Sequence, residues 1–161
     1  MAAVLQVIPA GVLSTAYDVL EDGRPKGRID HRMLSMRDEA VITTPDRTFH
    51  ARRPRAFRAA AVLESPAGTV RANAEKQTFW REHYRVEFDG TTLFLRQKMM
   101  SWRGLFLIAD ESGEIGGIRL EKLFSRRMLV EFATESPPPL EIIEFLVWIV
   151  LMVQRRQAAA E

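Results

Sequence analysis

Five arginines and no acid lie between Asp46 and Glu64, in the stretch Arg47-Thr-Phe-His-Ala-Arg-Arg-Pro-Arg-Ala-Phe-Arg58. Arginine donates two parallel N–H groups to a phosphate or carboxylate. Arg47, Arg52, Arg53, Arg55 and Arg58 gathered on one surface would therefore hold an anionic headgroup. The competing reading is a solvated strand and loop whose charges serve solubility. Phe49 and Phe57 have the spacing of inward-facing strand residues rather than of stacking platforms, and a net charge of +2 carries no nucleic-acid signal. Two further stretches mix aromatics with cations: Phe79-Trp-Arg-Glu-His-Tyr84, preceded by Lys76, and Gln97-Lys-Met-Met-Ser-Trp-Arg-Gly104. Each could form a contact patch, but the usual burial of large apolar side chains favours packing over the core.

Catalytic constellations are missing. Glu141 and Glu144 stand i, i+3 on one helical face and could share a proton as a dyad. Nothing near them in sequence suggests a base or nucleophile, so they are expected to complement the helix dipole and reach water. His31, His50 and His83 are dispersed, without the spacing that puts two ligands on one metal. Zero cysteines exclude disulfides, thiolate nucleophiles and thiolate-bound metals. Gly113 to Gly117 lacks the Lys-Ser/Thr of a phosphate-binding loop. The expectation is a protein that is not an enzyme and has no cofactor and no metal.

The element that positions everything else is the apolar run after Pro137-Pro138-Pro139, predicted as a helix over about 139–157. Pro139 fits the first helical position, Glu141 and Glu144 lie near the positive end of the dipole, and Arg155 and Arg156 near the negative end. From Phe145 to Val153 no polar residue interrupts the run, so Phe145, Leu146, Trp148, Ile149 and Met152 must be surrounded by protein or lipid. A bilayer core takes about 20 apolar residues, and this run is far shorter, which favours a core helix over a tail anchor. At 161 residues, 47% hydrophobic and 27% charged, the chain fits one globular domain over 1–161. The apolar start lacks a basic signal-peptide n-region, so a cytoplasmic monomer is expected.

A weak repeat supplies the surroundings of the helix. Val19-Leu-Glu-Asp-Gly23, Val62-Leu-Glu-Ser-Pro-Ala-Gly68 and Ile108-Ala-Asp-Glu-Ser-Gly113 each run from apolar residues into an acidic turn ending in glycine, and the glycines are 45 residues apart each time. Strand character resumes at Ile29 after a longer loop with Pro25 and Gly27, and at Val70 and Ile115. A second hairpin follows in two units: Tyr84 to Arg96 around Asp89-Gly90, and Ala40 to Phe49 around Thr44-Pro45-Asp46-Arg47. In the third unit Met128-Leu-Val-Glu-Phe132 starts likewise, and its return strand is replaced by the helix. The fold expected is mainly β, a closed antiparallel β-barrel of about twelve short strands around a hydrophobic C-terminal α-helix.

From about Tyr17 to Arg156 this layout resembles the tubby C-terminal-like superfamily, which includes tubby domains, LURP-one-related proteins and phospholipid scramblases. The resemblance rests on the repeat spacing and the terminal helix. Tubby domains bind phosphoinositide headgroups through a basic surface and scramblases move phospholipids with calcium, but the resemblance implies the fold and not either activity. The chain has no Asp-rich calcium loop and no cysteine for palmitoylation. The expected function is a non-enzymatic binding module, peripheral to a membrane, whose partner is an anionic membrane lipid or a protein and not nucleic acid. The alternative is a structural or accessory domain without a small-molecule ligand, held to a membrane by its C-terminal helix.

Overall fold

The computed structural model describes residues 3–12, 14–32, 38–54, 60–78, 81–98, 105–122 and 125–160. Twelve strands and one helix follow in order: β1 (Ala3–Pro9), β2 (Ala16–Glu21), β3 (Arg24–Arg32), β4 (Glu39–Thr43), β5 (Thr48–Arg52), β6 (Ala60–Glu64), β7 (Val70–Lys76), β8 (His83–Phe88), β9 (Thr91–Gln97), β10 (Phe106–Asp110), β11 (Gly113–Leu120), β12 (Met128–Phe132) and α1 (Leu140–Ala159). Each strand pairs antiparallel with its neighbours in sequence, and β1 closes the barrel against β12, from Ala3 opposite Phe132 to Val7 opposite Met128. Closure leaves no unpaired sheet edge.

Side-chain alternation puts one face of each strand inward. Tyr84, Val86 and Phe88 of β8 and Leu93 and Leu95 of β9 are buried, while Arg85 and Glu87 face out. The inner faces surround α1, in which every residue from Ile142 to Val153 is buried. Trp148 and Phe145 are fully enclosed, with ring centroids 5.9 Å apart. Among the described residues no helix is long and apolar enough to cross a membrane.

The glycine repeat is real in the backbone: Gly23, Gly68 and Gly113 have φ of 75°, 87° and 129°. Asp89 and Gly90 take φ of 47° and 71°, the left-handed pair a two-residue hairpin turn needs. The structure adds a bulge near the start of the second strand in each unit. The register shifts at Val19/Leu20, Leu63/Glu64 and Ile108/Ala109, so Lys26, Arg71 and Ile115 are extra residues. A bulge bends its strand and raises the local twist, which helps twelve short strands curl into a closed wall.

Four expectations are corrected. The third unit is completed by the N-terminal strand β1, whose Leu5 and Val7 point inward, because only a twelfth strand can satisfy both β2 and β12. No longer loop follows Gly23: Asp22 (φ 51°) and Gly23 form the turn, β3 starts at Arg24, and Pro25 and Gly27 lie in the strand beside the bulge that accommodates them. Pro139 is the N-cap, in extended conformation with ψ of 151°, and its carbonyl accepts from the N–H groups of Ile142 and Ile143 at 3.0 and 3.1 Å. Glu144 does not reach water at the barrel mouth. It is fully buried, because three residues of helix carry it about 4.5 Å deeper than Glu141, behind the β3–β4 wall.

Candidate functional site

In a meander, alternate connections lie at opposite ends of the barrel. One end carries the short turns after β2, β4, β6, β8 and β10 together with the N-terminus of α1. The other carries the longer connections and the helix C-terminus.

The short-turn end is acidic. Its connections contain Asp22, Asp46, Asp89, Glu111 and Glu135 against the single base Arg47. Arg71, re-aimed by its bulge, clasps the helix start: Nε and Nη2 donate to Glu141 Oε1 at 3.2 and 3.1 Å, and Nη1 lies 2.8 Å from Asp89 Oδ2. One turn further in, Glu144 sits against Gly27 of β3. A Cβ on Gly27 would overlap the Glu144 carboxyl and come within 2.6 Å of the Thr43 carbonyl oxygen, so only glycine leaves room for it. Neither Glu144 oxygen has a hydrogen-bond partner, and burial, assisted by the negative charge of Glu141, pushes its pKa up to about 9. The carboxyl is therefore neutral at pH 7, and the pair acts as one ion-paired acid at the mouth and one protonated acid in the core.

The long-loop end is basic. Its described connections and helix terminus carry Arg53, Arg81, Lys98, Lys122, Arg126, Arg127, Arg155 and Arg156 against Asp38, Glu82 and Glu121. Two of those acids are already engaged: Asp38 by Arg53 at 3.3 Å, and Glu82 by Lys76 at 3.0 Å and the Tyr84 hydroxyl at 2.7 Å. Burial opposes ionisation of Glu82, but the bonds from Tyr84 and Lys76 outweigh it and hold its pKa below the usual range. Burial, with the Glu82 bond and charge, pushes the Tyr84 hydroxyl up to about 12. Arg156 Nη2 donates to the same hydroxyl at 3.2 Å, and Gln97 and Gln157 exchange side-chain amide bonds at 3.1 and 2.9 Å. These contacts fasten the last turn of α1 to β8 and β9. His31, at the end of β3, is buried and accepts at Nε2 from Arg155 Nη1 at 2.6 Å. Burial, then the Arg155 charge, lowers its pKa and keeps the ring neutral. The acidic end meets the positive pole of the helix dipole and the basic end its negative pole, so both charge sets favour the threaded helix.

The arginine stretch does not form one patch. Arg47 is in the short turn after β4, whereas Arg52 and Arg53 are at the opposite end, roughly 16 Å along β5 at about 3.3 Å per residue. Arg52 donates to both Glu64 oxygens at 3.1 and 2.7 Å, and Arg53 to Asp38. Arg55 and Arg58 lie outside the described residues, as do Phe79, Trp80 and Met99 to Gly104. Phe49 is buried in β5. The feature the sequence reading missed is the sorting of charge by barrel end. Its signal is present in the alternation of connections, once β1 is counted as a strand. Among the described residues no group of three His, Asp or Glu side chains could hold a metal.

No protein-family profile matches the chain, and comparison with curated proteins and with solved structures finds no significant match.

Proposed function

We propose that the protein is a non-enzymatic binding module that docks on anionic lipid surfaces through the long-loop end of its barrel. The carrying observation is the segregation of charge: exposed Lys98, Lys122, Arg126, Arg127, Arg155 and Arg156 at one end, acids at the other. A dipolar body of this kind is oriented by a negative surface before contact, basic end first. Membership in the tubby C-terminal-like superfamily is part of the same proposal, at the level of fold. Its site would differ from the one expected from Arg47 to Arg58, since Arg47 is at the far end and Arg52 is spent on Glu64.

Sedimentation with phosphatidylserine-containing vesicles tests this reading. The protein is expected to pellet with them at low salt, to be released as salt shortens the screening length, and to ignore neutral phosphatidylcholine vesicles. Reversing three exposed cations (Lys98→Glu, Lys122→Glu, Arg127→Glu) should weaken binding by at least about 100-fold, at about 1 kcal/mol per basic residue near the surface. Arg47→Glu, at the opposite end, should leave it unchanged. Equal loss in both variants, or binding that survives the triple reversal, would overturn the assignment of the docking end.

A further inference from the structure

At the long-loop end, between the β1–β2 connection, the β11–β12 connection and the last turns of α1, runs a groove of about 510 Å³. Its volume is within the range of small-molecule sites, which combine an apolar lining with a few convergent polar groups. Leu151, Val12 and the Tyr17 ring give it apolar surface, and Arg126, Arg155 and His31 give it polarity. Four other grooves on the described surface set acids beside their cations: Glu87 and Asp89 beside Arg71, Glu82 and Glu114 beside Arg81 and Arg96, Glu39 and Glu64 beside Arg32 and Arg52, and Asp110 and Glu111 beside Arg96. Among the described residues, two arginines and no acid line this groove.

Both arginines are held by neutral partners. Arg126 donates to the carbonyls of Val12 and Ser14 at 2.9 and 2.7 Å and lies over the Tyr17 ring at 5.6 Å. Arg155 donates one N–H to His31. Neither has a carboxylate within ion-pair distance among the described residues, so their charges are positioned but not neutralised. From the pairing of two such arginines with an apolar wall we infer that this groove is a subsite for a single amphipathic anion, a carboxylate or phosphate monoester carried on an apolar chain. The head would take the open N–H groups of Arg155 and Arg126, and the chain would lie along Leu151 and Val12. The inference builds on the reading that this end of the barrel takes anionic ligands, and it specifies the chemistry of one molecule held there.

Calorimetric titration of the full chain with octyl phosphate and octanoate, beside inorganic phosphate and octylammonium, tests it. The two amphipathic anions should bind one per chain, and the free phosphate and the cation should not. Arg155→Gln should weaken octyl phosphate about tenfold, the loss of one charge-assisted contact, and Ala158→Trp, which fills the groove from its rim, should abolish binding. Residues 155 and 158 are exposed, and circular dichroism checks that both variants keep the barrel. Absence of octyl phosphate binding, inorganic phosphate binding as well as octyl phosphate, or unchanged affinity in either variant overturns the subsite. Vesicle sedimentation separates this from the preceding proposal. Vesicle binding without octyl phosphate binding removes the groove and leaves the docking end, while the reverse removes the docking end and leaves the groove.

Discussion

Replacing Glu144 by Gln should stabilise the barrel, and the gain should depend on pH. In the fold the carboxyl is buried against Gly27, without a hydrogen-bond partner, and titrates at about 9, against 4.5 for a free glutamate. Between those values the unfolded chain releases a proton that the folded chain keeps. Stability from the neutral carboxyl is thus fully present below 4.5 and is lost as pH rises through the folded pKa. At about 1.36 kcal/mol per pH unit, the wild-type protein is penalised by about 3 kcal/mol at pH 7 and by about 6 kcal/mol above pH 9. Glutamine keeps the shape and never ionises, so the variant escapes that penalty. Any cost of its amide hydrogens is a constant offset that leaves the slope alone. Urea unfolding of both proteins followed by circular dichroism at pH 5, 6, 7 and 8 reads the difference directly. It should widen by about 1.4 kcal/mol per unit, which at pH 7 corresponds to a rise in Tm of roughly 6–12 °C for a chain of this size. Groups common to both proteins cancel. A difference that stays flat with pH would mean that Glu144 is ionised in the folded barrel, and would refute the burial argument.

On the acid side His31 works in the opposite direction. Its folded pKa is lowered, so the unfolded chain takes up a proton more readily and stability falls as pH drops through the ordinary histidine range of about 6.5. Urea midpoints at pH 5 and 7 should show a wild-type loss that His31→Gln reduces, and an equal loss in both proteins would exclude His31 as its source. Gly27→Ala should cost about 1–3 kcal/mol by overpacking, and the cost should be smaller in a Glu144→Ala background, where only the clash with the Thr43 carbonyl remains. A double-mutant cycle by urea unfolding measures that coupling, and strict additivity would show that the two residues do not share the space.

The core helix, the Asp89-Gly90 turn and the three glycines 45 residues apart were legible because each depends on local chemistry. An uninterrupted apolar run has no solvated face, and a left-handed φ selects glycine at one position of a turn. The closed antiparallel barrel around the helix followed from counting hairpins. Tertiary structure alone decided the partner of β12, because pairing between Ala3 and Phe132 is set by the curl of the whole sheet and leaves no mark near either residue. It also decided the fates of Glu141 and Glu144. The two look alike in sequence, yet one meets Arg71 at the mouth and the other lies behind the β3–β4 wall, a difference made by a few ångströms of depth. Arg52 and Arg53 lost their apparent availability in the same way, to Glu64 across the β5–β6 pairing and to Asp38 just beyond the end of the β4–β5 pairing. Local sequence sets backbone preference and hydrophobic pattern, whereas the pairing of charges and the depth of a side chain depend on residues distant in the chain, which only the closed barrel brings together.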